Sequence, residues 1–184
     1  MNTIGLLLDA LQFSADKHRG QKRKDGDTAY INHPIAVAHI LKHVGGIVDP
    51  IVLCGAILHD TLEDTVTTKD ELAERFGKEI ANVVWEVTDD LVLKADKSKD
   101  AERKQLEIDH APHISHQAKL IKTADKIANL RDILNSPPVD WTITRKQKYF
   151  DWAKQVIDGM CGNSSALEAE FDALYSKRPF KEMT

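Results

Sequence analysis

The feature that most constrains this chain is an apolar run that ends abruptly in charge. Ile51-Val52-Leu53-Cys54-Gly55-Ala56-Ile57-Leu58 is followed at once by His59-Asp60-Thr61-Leu62-Glu63-Asp64-Thr65. A helix apolar around most of its circumference belongs inside a packed domain. If that helix continues, residues four apart stack, so His59 shares a face with Glu63, and Asp60 with Asp64. Three carboxylates beside an imidazole at the end of a buried helix repel one another in a low-dielectric setting. A bound divalent cation is the simplest relief, and the stretch reads as the floor of a metal site. The alternative is a charged helix end emerging from the core.

The rest of the chain reads as a succession of helices. Periodicity predicts one from Ile4 to His18, with Leu7, Leu8, Leu11 and Ala15 on one side. Gly20 ends it, and Gln21 to Tyr30 reads as a polar loop. Pro34 suits the first turn of a second helix, whose apolar face takes in Ile35, Ala38, Ile40 and Leu41 and which Gly45-Gly46 stops. Asp49-Pro50 is an N-cap with a first-turn proline for the helix that carries His59. Thr68-Lys69-Asp70-Glu71 matches a capping box, opening a helix that ends at Gly77, and another follows from Lys78 to Thr88. Asp89 to Asp100 is charged, lacks a period and reads as a mobile loop. Glu102-Arg103-Lys104 opens a helix that Pro112 closes. The longest helical signal, His116 to Leu134, is broken by Pro137-Pro138. Two more helices run from Thr144 to Met160 and from Ser165 to Ser176. No stretch alternates in the strand manner and no linker divides the chain. The expectation is a single all-α domain over residues 1–184.

Composition narrows the class of partner. A chain of 184 residues, 42% hydrophobic and 29% charged, is of a size to bury one core. A net charge of −4 argues against nucleic acid held by bulk electrostatics. The run from Ile51 to Leu58 is too short to span a bilayer, so no membrane partner is expected. Asp9 and Asp16 interrupt any signal-peptide pattern. Cys54 and Cys161, both in segments that read as helical, suggest reduced packing thiols in a cytoplasmic protein.

The long helix carries a second polar cluster. Lys122, Asp125, Asn129 and Asp132 fall on one face, beside a stripe of Leu120, Ala124, Ile127 and Leu134. Asp125 so placed is expected to point inward at something positive. His33 precedes Pro34, which restricts its backbone and helps fix its direction. His39 and His43 lie four apart but lack a carboxylate in HExxH order, and are not read as ligands. His18, His110, His113 and His116 read as solvated residues of helix ends and loops.

These residues carry a resemblance. His33, His59-Asp60 and Asp125 form the H…HD…D pattern of the HD-domain metal phosphohydrolases. Arg23-Lys24, Tyr30-Ile31-Asn32-His33-Pro34, the run from His59 to Thr65, Ala124-Asp125-Lys126 and Asn129-Leu130-Arg131 resemble the hydrolase domain of the stringent-response Rel/SpoT enzymes. The chain is most similar to the small stand-alone alarmone hydrolases of the metazoan-SpoT-homologue type, over residues 4 to 176, with a longer loop from Leu91 to Ala101. The resemblance implies an all-helical HD bundle. It also implies hydrolysis of guanosine 3′,5′-bis(diphosphate) or the pentaphosphate (ppGpp, pppGpp), with pyrophosphate released from the 3′ position. The implied cofactor is Mn²⁺, held by His33, His59, Asp60 and Asp125; those donors also suit Zn²⁺ or Fe²⁺.

The implied ion lowers the pKa of a water and polarises the phosphorus. Glu63 and Asp64 are then placed to orient or deprotonate the attacking water, or instead to hold the histidines. Arg23 and Lys24 resemble the pair that holds the guanine and its phosphates, and Asn129 bonds the nucleoside by the same analogy. Arg103, Lys104 and Lys122 are further phosphate candidates. Two other readings stay open: an HD phosphatase for another nucleotide such as NADPH, and a non-catalytic nucleotide-binding module. The second is disfavoured by the presence of Glu63 and Asp64 together.

Overall fold

Local signals open most of the helices. Asp49 accepts a hydrogen bond from the Ile51 amide with Pro50 in the first turn, and Thr68 accepts from the Glu71 amide. Ser115, Thr142 and Ser164 accept from the amides of Ala118, Arg145 and Leu167 in the same way. Each bond satisfies one of the amide groups that a helix start leaves without a partner.

A computed structural model describes residues 3–180, which form α1 (Thr3–Lys17), α2 (Asn32–His43), α3 (Pro50–Leu58), α4 (Thr61–Asp64), α5 (Lys69–Phe76), α6 (Lys78–Val87), α7 (Leu91–Ala95), α8 (Asp100–His110), α9 (His116–Asn135), α10 (Ile143–Asp158) and α11 (Ser165–Tyr175). Single 3₁₀ turns lie at Lys97–Lys99 and Ala111–His113. Among the described residues there is no strand, only an isolated bridge between Lys22 and Ala29. The fold is all-α. Among the described residues, no helix is long and apolar enough to cross a membrane.

The apolar run occupies the centre, as its composition requires. α3 buries Val52, Cys54, Gly55, Ala56, Ile57 and Leu58, and packs against α1, α2, α6 and α9. A Cβ on Gly55 would lie 2.9 Å from Ile121 Cδ1, so glycine is what lets α3 approach α9 this closely. One part of the core surrounds α9 and includes Ile121, Leu130, Phe150 and Phe171. The other joins α1, α3, α5 and α6 through Leu58, Leu72 and an edge-to-face Phe13–Phe76 pair with centroids 5.3 Å apart.

Five expectations need correction. The helix carrying His59 does not run on: α3 ends at Leu58, Asp60 sits at φ −89° and ψ −5°, and α4 restarts at Thr61. Side chains cause the break. His59 Nδ1 donates to Ala56 O at 2.8 Å and Thr61 Oγ1 to Leu58 O at 2.6 Å, taking carbonyls at the helix end. Second, α2 begins at Asn32, two residues before Pro34. Third, Asp89 to Asp100 is not an irregular loop. Asp90 accepts from the Val92 and Leu93 amides to start α7, and Asp96 accepts from the Ser98 amide to start the next turn. Neither buries a side chain, so no apolar period was there to read. Fourth, His18 is buried, stacked on Tyr30 with ring centroids 4.7 Å apart. Fifth, Cys161 is exposed in the turn after α10, whereas Cys54 packs in the core.

Candidate active site

Helix packing assembles a His/Asp cluster from three separate parts of the chain. α2 presents His33 from its first turn, the break between α3 and α4 presents His59 and Asp60, and the middle of α9 presents Asp125. Because α2, α3 and α9 pack pairwise, these side chains converge. His33 Nε2 lies 3.0 Å from Asp125 Oδ1 and 3.7 Å from Asp60 Oδ2. His59 Nε2 lies 3.2 Å from Asp60 Oδ1 and 3.8 Å from Asp125 Oδ1. His33, His59 and Asp60 each offer a ligand atom within 4.8 Å of the others.

The donors fit a divalent cation. Ala56 O can only accept, so His59 carries a proton on Nδ1, and its Nε2 faces the carboxylates. Among the described residues, that buried Nε2 has no hydrogen-bond partner. Carboxylate oxygens 3.0 and 3.2 Å from the two Nε2 atoms favour positive charge between them, carried by a proton or by a metal ion that takes the proton's place. Burial works against the His59 imidazolium, yet Asp60 and Asp125 push its pKa up to about 9. Burial opposes ionisation of Asp125 too, but Lys126 and His33 hold its carboxyl far below the usual range. Two imidazoles and two ionised carboxylates make a nitrogen and oxygen site of the kind first-row divalent metals occupy.

A second group of acids adjoins the cluster. Glu63 Oε1 accepts from the Asp89 amide at 2.7 Å and Oε2 from Lys94 Nζ at 2.6 Å. Burial and the nearby Asp89 carboxylate, moderated by Lys94, push the Glu63 pKa up to about 7. Lys94 also donates to Asp64 Oδ1 at 2.7 Å. The Tyr30 hydroxyl lies 2.7 Å from both Asp60 Oδ2 and Asp64 Oδ2. Burial and those two carboxylates push the phenol's pKa far above its ordinary value, so it stays a donor.

Above these groups opens a cavity of about 1200 Å³. Among the described residues, eleven lysine and arginine side chains line it against seven aspartates and glutamates, although the chain as a whole is acidic. Trp141 and Tyr149, with ring centroids 5.6 Å apart, add an aromatic wall beside Lys24 and Arg145. The arrangement accommodates an anionic ligand that also carries a flat ring.

The profile of the HD domain matches residues 10–149. The chain belongs to the HD-domain family. It is 49% identical to the guanosine-3′,5′-bis(diphosphate) 3′-pyrophosphohydrolase MESH1 of Xenopus tropicalis, over 92% of this chain and 93% of that protein. The Homo sapiens protein of the same name is also 49% identical, over 94% of each chain. A solved structure, described as a metazoan ortholog of SpoT that hydrolyzes ppGpp and plays a role in starvation responses, superimposes with a TM-score of 0.88. It is 42% identical and covers 94% of this chain and 95% of that one. Past the matched HD region, α11 still packs on α9, so the remainder shares the same core.

Around the HD cluster, the predicted nucleotide-binding residues are placed unequally. Arg23 donates to Asp132 Oδ2 through Nε at 3.1 Å and Nη2 at 2.7 Å, and to Asn129 Oδ1 at 2.7 Å. Asn129 in turn donates to Asp125 Oδ1 at 2.6 Å, which ties the cavity wall to the His/Asp cluster. Lys24 faces the Trp141 ring at 5.4 Å, and burial lowers its pKa. Arg103 pairs with Asp89 and Asp100, and Lys104 with Asp100 at 2.8 Å; both line the cavity. Lys122 also lines it, but is buried and bound to Glu107 at 2.7 Å, so its charge is already partnered.

Several cavity residues escaped the sequence reading. Lys94 lay in the stretch read as a loop. Tyr30 was legible only as part of a motif. Arg145, Lys148, Tyr149 and Trp152 line the wall from α10, at spacings of three, one and three. That stripe of cations and aromatics on one helical face was a usable signal.

Proposed function

We propose that this protein is a metal-dependent hydrolase that removes the 3′-pyrophosphate from ppGpp and pppGpp, leaving GDP or GTP. The observation that carries this reading is a buried His/Asp cluster at the floor of a cation-lined cavity, in a chain 49% identical over most of its length to relatives named for that reaction. Mn²⁺ is the ion we assign, held by His33, His59, Asp60 and Asp125; Zn²⁺ and Fe²⁺ suit the same donors. When bound, the ion supplies Lewis acidity at the phosphorus under attack.

The side chains do the rest. Glu63, with a pKa near 7 and both oxygens held by the Asp89 amide and Lys94, is suited to take a proton from the attacking water at neutral pH. Asp64, one residue on and fixed by Tyr30 and Lys94, orients that water. The water oxygen bonds to phosphorus as the bond from phosphorus to the ribose 3′ oxygen breaks, and that oxygen leaves with a proton. Arg23 and Lys24 border the aromatic wall formed by Trp141 and Tyr149, where a guanine and its adjoining phosphates bind. Asn129 contributes on the nucleoside side while holding Asp125. Arg103 and Lys104 take phosphate oxygens, and Lys122, held by Glu107, lines the wall beside them. We place the protein in the cytoplasm, where the thiols of Cys54 and Cys161 stay reduced.

The test is a nucleotide panel of ppGpp, pppGpp, GTP, NADPH and 3′-phosphorylated nucleotides, incubated with Mn²⁺-loaded protein. Pyrophosphate release confined to ppGpp and pppGpp is expected. Release of single phosphate from NADPH alone would replace this reading with the phosphatase one.

A further inference from the structure

Tyr30 stands in the turn before α2, with no place among the metal donors or the carboxylates proposed to act on water. Its ring is sandwiched. His18 stacks on one side at 4.7 Å and an interplanar angle of 17°, and the Arg23 guanidinium lies over the ring at 5.5 Å. A phenylalanine would fill the same slot and keep both contacts, so the ring's surroundings do not account for the hydroxyl. What the oxygen does is specific. It lies 2.7 Å from Asp60 Oδ2 and 2.7 Å from Asp64 Oδ2, and a phenol has one proton to share between them.

That single donor fixes two carboxylates at once. With Oδ2 of each tied to the phenol, Asp60 turns its Oδ1 toward His59 Nε2, 3.2 Å away, and Asp64 turns its Oδ1 to Lys94 Nζ, 2.7 Å away. Rotation of either carboxylate would break its bond to Tyr30. The two bonds span α4, because Asp60 precedes that short helix and Asp64 ends it. The ring is itself held from behind. His18 Nδ1 donates to Gln21 Oε1 at 2.8 Å, and Gln21 Nε2 donates to the Asp64 carbonyl at 2.8 Å. One small network from the end of α1 thus supports the ring, the Asp64 backbone and, through the hydroxyl, both carboxylates.

We propose that Tyr30 is a positioning residue whose hydroxyl holds Asp60, a metal ligand in the function proposed above, in register with Asp64 across the break between α3 and α4. The inference rests on that function. Groups that hold a metal site's ligands from outside typically account for roughly 10–100-fold in activity.

The experiment compares wild type, Tyr30→Phe, Asp64→Asn and the double variant, each Mn²⁺-loaded, on whichever nucleotide the wild type turns over. Wild-type selectivity therefore tests the proposed function, and the ratios among variants test this inference alone. Tyr30→Phe is expected to lower kcat by about 10–100-fold with KM changed less than about twofold, while melting cooperatively. In the Asp64→Asn background the same change should cost at most about threefold, because one of the two carboxylates it aligns is already disabled. Any of three results would overturn the proposal: kcat within twofold of wild type, an equal fold loss in both backgrounds, or loss of the cooperative melt, which would make Tyr30 a residue of the fold.

Discussion

Replacing Glu107 by glutamine is the sharpest test of the electrostatics beneath the cavity. Its side chain is 4% exposed, and Oε1 accepts from both Lys122 Nζ at 2.7 Å and Lys126 Nζ at 2.9 Å, whose side chains are 10% and 5% exposed. Glutamine keeps the volume and one acceptor but removes the negative charge, leaving two buried ammonium groups around a neutral amide. Breaking a buried pair in this way costs about 3–5 kcal/mol. Asp125, 3.3 Å from Lys126, and Asp89, 3.8 Å from Lys122, remain as partial compensation and favour the lower end. At roughly 2–4 °C per kcal/mol for a chain of this size, the melting temperature at pH 7 should fall by about 6–12 °C. The pH dependence has a definite sign. Burial opposes ionisation of Glu107, but the two lysines hold its pKa down to about 2, below the ordinary 4.5. A depressed carboxyl stabilises the fold fully above its unfolded pKa, and that stability drains away as pH falls from 4.5 toward 2. The gap between wild type and variant should therefore be constant from pH 7 to 5 and shrink below 4.5. Differential scanning calorimetry on both proteins across that range is the assay. Lys154→Gln, which removes an exposed pair with Asp158, serves as the control and should cost at most about 1 kcal/mol. A drop under about 2 °C at pH 7, or a gap that widens on acidification, would refute the reasoning.

Three further outcomes are expected. Glu63→Gln should leave Mn²⁺ content and nucleotide binding near wild type while lowering kcat by about 10²–10⁴-fold; loss of binding with kcat intact at saturation would contradict its role as proton acceptor. Asp60→Ala should abolish both turnover and metal content, measured by elemental analysis, and an active metal-free variant would remove the basis of the site assignment. Thr68→Ala deletes the cap on α5 and should cost about 1 kcal/mol in denaturant unfolding with kcat unchanged, since it lies away from the cavity.

What the sequence disclosed and what it hid divide by the range of the interactions. Asp49-Pro50 and Thr68 with Glu71 act on amides two or three residues away, so their helix starts were readable from neighbouring residues. The centrality of α3 followed from composition, because a run so apolar has nowhere else to go. His18 was misplaced because its burial depends on Tyr30, which the chain returns only after a loop. The pairing of Lys122 was hidden because its partner, Glu107, sits on a different helix. α7 was invisible for another reason. Five residues held by the Asp90 cap bury nothing, yet they deliver Lys94 to Glu63 and Asp64.

The break after Leu58 explains why adjacent residues can serve one site. Successive side chains on an unbroken helix diverge by about 100°, so neighbouring His and Asp would point to different surroundings. Here the backbone leaves the helix at Asp60, with ψ near −5°, and the two functional atoms come within 3.2 Å of each other. The hydroxyl of Thr61 and the ring of His59 hold that geometry by bonding the carbonyls of Leu58 and Ala56. His59 therefore acts twice: Nδ1 fixes the end of the helix, and that same bond turns Nε2 to the cluster. A threonine after the His-Asp pair is thus part of how the site is built. Thr61→Val, which keeps the shape and deletes the donor, should loosen the alignment of His59 and Asp60 before it unfolds the protein. Lower Mn²⁺ affinity with the helical content unchanged is the expected signature; unchanged affinity would show that packing around α3, and not the hydroxyl, sets the break.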